Sequence, residues 1–256
     1  MAYVISVANE KGGVAKTTTT SSLGASLAEN RKKILLVDLD PQANLTLALG
    51  LDPGKIQTSI TNILLDSHPI KSAILETSIG GLNILAANTR LGELEHRLPS
   101  IPNYESLLKT PIQEIRPEFD FILFDCPPFL GAVTVNAITA SDLLLLPTQT
   151  EFFSINALRN MMLAIRQVRS KGNPELTYRL LITMFDRRNR IHRNLNEQLR
   201  ATFGKGVLET VIETDTKLRE SNIAGIPIIY HSPKSRAAMQ YRLLAQEILS
   251  YVKVPV

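Results

Sequence analysis

Residues 11 to 18 read Lys11-Gly12-Gly13-Val14-Ala15-Lys16-Thr17-Thr18, a run of small residues bounded by lysines and closed by two threonines. Small side chains let consecutive backbone N–H groups close around phosphate oxygens, the Lys16 ammonium can reach the outer phosphates, and the Thr17 hydroxyl can ligate Mg²⁺. Acids end two apolar runs: Asp38 and Asp40 in Leu36-Val37-Asp38-Leu39-Asp40-Pro41-Gln42, and Asp125 in Phe121-Ile122-Leu123-Phe124-Asp125-Cys126-Pro127-Pro128. Carboxylates at i and i+2 of an extended chain project to one side, which suits orienting a water and holding a magnesium shell. A lone Asp at the end of a buried strand suits Mg²⁺ held through water. Together these groups describe a site for a nucleoside triphosphate and its metal ion.

Such residues act only if strands and helices deliver them to one place. Six apolar, β-branched-rich runs, at 3–8, 33–38, 82–87, 119–125, 142–148 and 178–184, alternate with helical patterns at 17–30, 103–116, 154–170, 190–203 and 235–252. The alternation predicts an α/β fold, a mainly parallel twisted sheet flanked by helices on both faces, forming a single domain over residues 1–256. The loop at 11–18 then lies between a strand and a helix whose N-terminus favours an anion. Carboxyl ends of strands are where such folds place ligands.

Composition narrows the classes further. At 44% hydrophobic residues the chain can bury a substantial core, and no run approaches the length of a membrane span, so a soluble cytoplasmic protein is expected. The single cysteine, Cys126, allows no internal disulfide and no iron–sulfur cluster, and reads as a small buried filler. Charge is unevenly spread: 11 Lys/Arg face 15 Asp/Glu over residues 1–150, but 17 face 9 over 151–256. The basic part includes Arg187, Arg188, Arg190, Arg193, Lys217, Arg219, Lys234, Arg236 and Arg242, a distribution compatible with phosphate-backbone binding or with an ordinary solvated surface.

The K-G-G-V-x-K-T-T string resembles the deviant Walker A box of the ParA/MinD family of P-loop NTPases. Asp38-Leu39-Asp40-Pro41-Gln42 resembles the family's switch I, and Asp125-Cys126-Pro127-Pro128 its switch II. Thr148-Gln149-Thr150-Glu151-Phe152-Phe153, Ile182-Thr183-Met184-Phe185-Asp186 and Thr210-Val211-Ile212 extend the resemblance to chromosomal and small plasmid (Soj-like) ParA proteins over nearly the whole chain. That resemblance implies ATP and Mg²⁺ as cofactors, with Gly12, Gly13, Val14, Ala15, Lys16, Thr17 and Thr18 around the phosphates and Met184 and Phe185 near the adenine. It implies Lys11, Lys16 and Asp40 as catalytic residues, Lys11 reaching across an ATP-bound homodimer and Asp40 activating water. Thr17, Asp38 and Asp125 would surround the metal.

The resemblance further implies weak hydrolysis stimulated by a ParB-like or cargo-adaptor protein, and nucleoid association through non-specific DNA binding. Lys217, Arg219, Arg236 and Arg242 are the candidate DNA contacts. Two departures stand out. Ala15 replaces the family's usual glycine, and its methyl group argues against a left-handed backbone there. Ile212-Glu213-Thr214-Asp215 replaces I-P-x-N and sets two acids beside the proposed DNA surface. The alternative is a MinD-like membrane-associated positioning ATPase with a basic amphipathic tail. Here Ala238, Tyr241, Leu244, Ala245, Ile248 and Val252 share one face of the last helix and the tail holds one lysine, Lys253, so docking on the core is expected. The one cysteine argues against an electron-transfer relative, and tyrosines at 3, 104, 178, 230, 241 and 251 form no terminal cluster of the tyrosine-kinase kind.

Overall fold

The computed structural model describes residues 1–151 and 154–252, without the side chains of 155 and 156. Phe152, Phe153 and the tail from Lys253 onward, used in the readings above, lie outside the described residues. Eight strands form one sheet: β1 (Tyr3–Val7), β2 (Ile34–Asp38), β3 (Ile74–Glu76), β4 (Leu82–Leu85), β5 (Phe121–Asp125), β6 (Leu143–Gln149), β7 (Thr177–Phe185) and β8 (Val207–Glu213), in the order β3-β4-β2-β5-β1-β6-β7-β8. All pairs are parallel except β3 with β4. The helices are α1 (Lys16–Glu29), α2 (Asn44–Ala48), α3 (Ile60–Asp66), α4 (Glu93–Arg97), α5 (Lys109–Ile115), α6 (Ala132–Thr139), α7 (Ser154–Lys171), α8 (Arg190–Phe203), α9 (Thr216–Ala224), α10 (Ile228–His231) and α11 (Arg236–Tyr251).

The unbroken apolar runs of the central strands have a direct cause: side chains alternate across the sheet, and both faces are covered. Val4, Leu35, Val37, Ile122, Phe124, Leu144 and Leu146 enter one core with residues of α3 to α8. Ile5, Ile34, Leu36, Phe121, Leu123 and Leu145 enter the other with α1, α2, α10 and α11. Gly24 lets α1 sit close on β2, since a β-carbon there would stand 2.7 Å from Leu36 Cδ2. Ala238, Tyr241, Leu244, Ala245 and Ile248 of α11 are completely buried, with Val252 packed at the margin, so this face belongs to the core. The Tyr241 hydroxyl lies 3.2 Å from Thr19 Oγ1 on α1. Among the described residues no helix is long and apolar enough to cross a membrane.

From β1 the chain moves out to β2, returns through β5 beside β1, and then proceeds to β6 on the opposite side. Ligand clefts in open α/β sheets form at such a reversal. The carboxyl ends of β2, β5 and β1, three neighbours in the sheet, carry the three sequence motifs.

Candidate active site

The loop after β1 is fixed at its base by Asn9, a buried residue whose Nδ2 donates to the Pro147 carbonyl (2.8 Å) and whose Oδ1 accepts from Lys11 N–H (3.0 Å). Gly13 has φ 72° and Ala15 has φ 68°, ψ 34°. Ala15 therefore adopts the left-handed conformation that its methyl group was expected to exclude, at a cost of about 1–2 kcal/mol. The loop is over-determined by its surroundings: Thr183 Oγ1 donates to the Val14 carbonyl (3.1 Å), Val14 itself is buried, and Gln149 Nε2 donates to the Gly13 carbonyl (3.2 Å). No side chain caps α1. Its first-turn N–H groups are left facing the loop, as anion binding requires.

Lys16 is buried, and its Nζ donates to the Lys11 carbonyl (3.0 Å). Desolvation pulls its pKa below the usual lysine value, opposed by the nearby charges of Asp125 and Asp40. Thr17 Oγ1 donates to Asp125 Oδ2 (2.7 Å) and Thr20 Oγ1 to Asp125 Oδ1 (3.2 Å). Asp125 is fully buried and pairs directly with Asp38 in the β2–β5 register. Its carboxyl is held well above the ordinary range, first by desolvation and then by the charge of Asp38.

Asp38, expected to surround the metal, is engaged by the chain that follows β2. Its Oδ2 accepts from Thr46 N–H (2.9 Å) and Thr46 Oγ1 (2.8 Å), and its Oδ1 from Asp40 N–H (3.2 Å). The Thr46 hydroxyl in turn accepts from Ala87 N–H (2.9 Å). Asp38 thus anchors α2 to the sheet. Burial lifts its pKa to about 6, the three donors working against the rise. Asp40 projects into the cavity instead, its Oδ1 accepting from Gln42 N–H (2.9 Å). The i, i+2 rule fails here because Asp40 lies beyond the strand's last residue.

The cavity has a volume of about 610 Å³ and runs from Gly12–Thr18 and Pro128 to a far wall that includes Met184, Asp215, Arg219 and Asn222. Met184, at φ 52°, faces it. Phe185 does not: it is buried in the core with its ring 6.0 Å from that of His192. Among the described residues no group of three or more His, Cys, Asp or Glu is arranged to hold a metal alone. A cation at Thr17 and Asp125 would fit all the same, because three buried carboxylates, Asp38, Asp40 and Asp125, are gathered with only one buried ammonium there, and Mg²⁺ at such sites takes most ligands from water and phosphate. Cys126 is buried, its thiol pushed up by desolvation and the neighbouring Asp125.

A family model described as an AAA domain matches residues 2–178. The sporulation initiation inhibitor protein Soj of Bacillus subtilis is 36% identical over 97% of this chain and 98% of its own. The chromosome partitioning protein ParA of Caulobacter vibrioides is 34% identical over 96% and 94%. The chain belongs to the ParA/MinD family. Among solved structures, that of cobyrinic acid a,c-diamide synthase from Mycobacterium smegmatis with bound ATP analog and magnesium superposes with a TM-score of 0.87 at 33% identity, covering 99% of this chain and 97% of that one.

The remaining ParA-type residues are disposed as follows. Lys11 does not line the cavity; its Nζ is bound to Gln149 Oε1 (3.1 Å) and to the Glu151 carboxylate. Of the candidate DNA contacts, Arg242 is committed elsewhere, gripping Glu29 through Nε (2.7 Å) and an Nη (2.9 Å) while donating to the Pro233 carbonyl. Lys217 pairs with Glu220 (2.7 Å), Arg219 lines the cavity, and Arg236 pairs with Glu213 (3.1 Å). Buried Glu213 also holds Arg187 (2.8 Å), while Asp215 caps α9 through Lys217 N–H (3.0 Å). The two acids beside the basic surface therefore organise it. Asn9 and Thr46 lie in no string that the sequence singled out for chemistry, and the contacts of Gln149 and Glu213 could not be read from the strings that contain them.

Proposed function

We infer that this chain is an ATP- and Mg²⁺-dependent ParA-type switch: it dimerises around nucleotide, occupies DNA without regard to sequence, and positions a cargo. A ParB-like or adaptor protein stimulates its otherwise slow hydrolysis. The observation that carries this reading is the pair of lysines on one loop. Lys16 lines the cavity of its own chain, whereas Lys11 is absent from that lining and is held by Gln149 and Glu151; released from them, it would act on a nucleotide held by another subunit as a trans-supplied cation on the transferring phosphoryl group. Asp40, the unburdened acid at the cavity, orients the water; Thr17 and Asp125 hold the metal shell. The names of the ParA and Soj relatives support a partitioning role.

For DNA, this reading favours Arg187, Arg188, Lys217 and Arg236, near the carboxyl ends of β7 and β8. The exposed ion pairs of Arg188 and Lys217 are weak enough to exchange for phosphates, while Arg187 and Arg236 stay anchored on buried Glu213. The buried face of α11 disfavours a membrane-bound state.

Light scattering and co-sedimentation test the reading. Wild-type protein with ATP and Mg²⁺ should dimerise and sediment with duplex DNA, and with ADP do neither. Asp40→Ala should bind ATP, accumulate as dimer and hydrolyse slowly. Lys11→Ala should bind ATP yet lose partner-stimulated hydrolysis. Wild type that ignores DNA at low salt but sediments with anionic liposomes would replace this reading with the MinD-like one.

A further inference from the structure

Switch II leaves the sheet at Asp125 and regains regular structure at α6. Between them Pro128 lines the nucleotide cavity, its Cβ 3.9 Å from where a side chain on Gly12 would begin. The far end of this segment has one local tie, Thr134 Oγ1 of α6 donating to the Phe129 carbonyl (2.8 Å), but the residue preceding α6 is Gly131, which cannot cap the helix, and the first turn holds no acid. Glu95 supplies one from 36 positions upstream of Gly131: its Oε2 accepts from Ala132 N–H (2.7 Å) and its Oε1 from Val133 N–H (3.0 Å). A carboxylate spanning two N–H groups at a helix N-terminus is favoured by both charge and geometry. Gly131 makes the approach possible, since a β-carbon there would collide with the Glu95 carboxylate and stand 2.6 Å from Phe129 Cε2. Glu95 is itself firmly delivered: Leu91, Leu94 and Leu98 around α4 are buried, and Arg90 ties α4 to α3 by pairing with Glu93 (3.0 Å) and Asp66 (2.7 Å).

We propose that Glu95 is a positioning residue for ATP hydrolysis, holding the distal end of switch II so that residues 126–130 stay against the phosphate loop. The proposal rests on the nucleotide-site reading above. Asp125, fixed by the sheet, and Glu95, fixed by α4, clamp the two ends of the segment. Without Glu95 the phosphate loop still binds nucleotide, but the distal end of the wall is tied only to α6, through Thr134 and Phe129, and α6 loses its carboxylate link to α4. Rate falls and affinity does not.

The chain contains no tryptophan, so Phe129→Trp places a unique fluorophore in the segment. In that background, Glu95→Ala should add a fast component to the nucleotide-free anisotropy decay that is absent with Glu95 in place. Single-turnover hydrolysis in the native background should slow about ten-fold in Glu95→Ala while affinity for a fluorescent ATP analogue stays within about two-fold. Glu95→Gln, which keeps one acceptor, should recover most of the rate. Unchanged anisotropy and rate in Glu95→Ala overturn the proposal. So does a parallel loss of affinity and rate that tracks a lower melting temperature, which is the signature of a purely structural role. Wild-type protein unable to bind ATP would overturn the nucleotide-site reading itself, while the nucleotide-free anisotropy would still decide whether Glu95 holds the segment.

Discussion

Ala15 keeps a left-handed backbone because its neighbours leave it no alternative, which makes it a site of removable strain. Ala15→Gly should relieve about 1–2 kcal/mol in the folded state and return about 0.4–1 kcal/mol through the looser unfolded chain, for a net gain of about 0.5–1 kcal/mol. Thermal unfolding should register a rise of about 1–4 °C; a fall would mean that the methyl group packs productively. Asp38 and Asp125 make a second test. Both carboxyls are raised by burial, Asp38 to about 6 and Asp125 beyond the ordinary range, so the folded state holds protons that the unfolded state has released. Their contribution to stability is complete below the unfolded values and is lost as pH rises through about 6 and above. Asp125→Asn should therefore gain on wild type steadily between about pH 5 and pH 8 in metal-free buffer, and should not share the wild-type gain from Mg²⁺–nucleotide. Equal melting shifts at both pH values would show that the buried pair is already compensated. That Lys16, Thr17, Asp40 and Asp125 gather at one end of the sheet was legible in the sequence because each stands in a short motif window. The placement of Asn9 and Thr46 was not, because each is held by partners brought near only by folding, Asn9 and Pro147 being 138 residues apart.

At the scale of elements, the six apolar runs all became strands, whereas β3 and β8 escaped the reading for different reasons. β3 is a three-residue edge strand too short to show a period. β8, Val207-Leu208-Glu209-Thr210-Val211-Ile212-Glu213, interrupts its apolar residues with acids that an edge strand can expose or pair. The helical pattern at 103–116 proved to be a 3-10 turn followed by α5, with Pro111 confined to the first turn where its missing N–H is tolerated. The long β2–β5 connection, 39–120, packs α3 to α5 into one core and supplies Glu95 to switch II, a role invisible without the fold. The approach of α2 to α9 is backbone to backbone: Gly225 closes α9 at φ 66°, and a β-carbon on it would stand 2.8 Å from Gly50 Cα. Gly225→Ala meets both the wrong backbone and a rigid obstacle. It should cost about 3 kcal/mol, lowering the melting temperature by about 6–12 °C, while Gly80→Ala, with open space around it, should be neutral.

Across the whole molecule, the motifs hang from three adjacent strands that share backbone hydrogen bonds at their carboxyl ends, Leu39 N–H to Asp125 O (3.0 Å) and Cys126 N–H to Val7 O (3.2 Å). That bed is buried on both faces, so under the proposed function a nucleotide signal would leave through the loops, with the basic surface at β7 and β8 as its output. If that surface holds DNA as proposed, a dimer contacts twice the phosphates of a monomer, and the slope of log affinity against log salt should steepen by about 0.9 for each added contact. Arg188→Glu with Lys217→Glu should flatten the slope without affecting ATP-dependent dimerisation; an unchanged slope would move the surface elsewhere. The contact at Gly50 and Gly225 bears on how such a signal could travel. Two bare backbones touching have no side chains to mesh, so they fix the spacing of α2 and α9 while leaving their relative rotation cheap. In mechanical language it is a bearing with one fixed face: Thr46 pins α2 to the sheet, and α9, the helix that carries Lys217, is the part with freedom to roll against it where interlocked side chains would have seized.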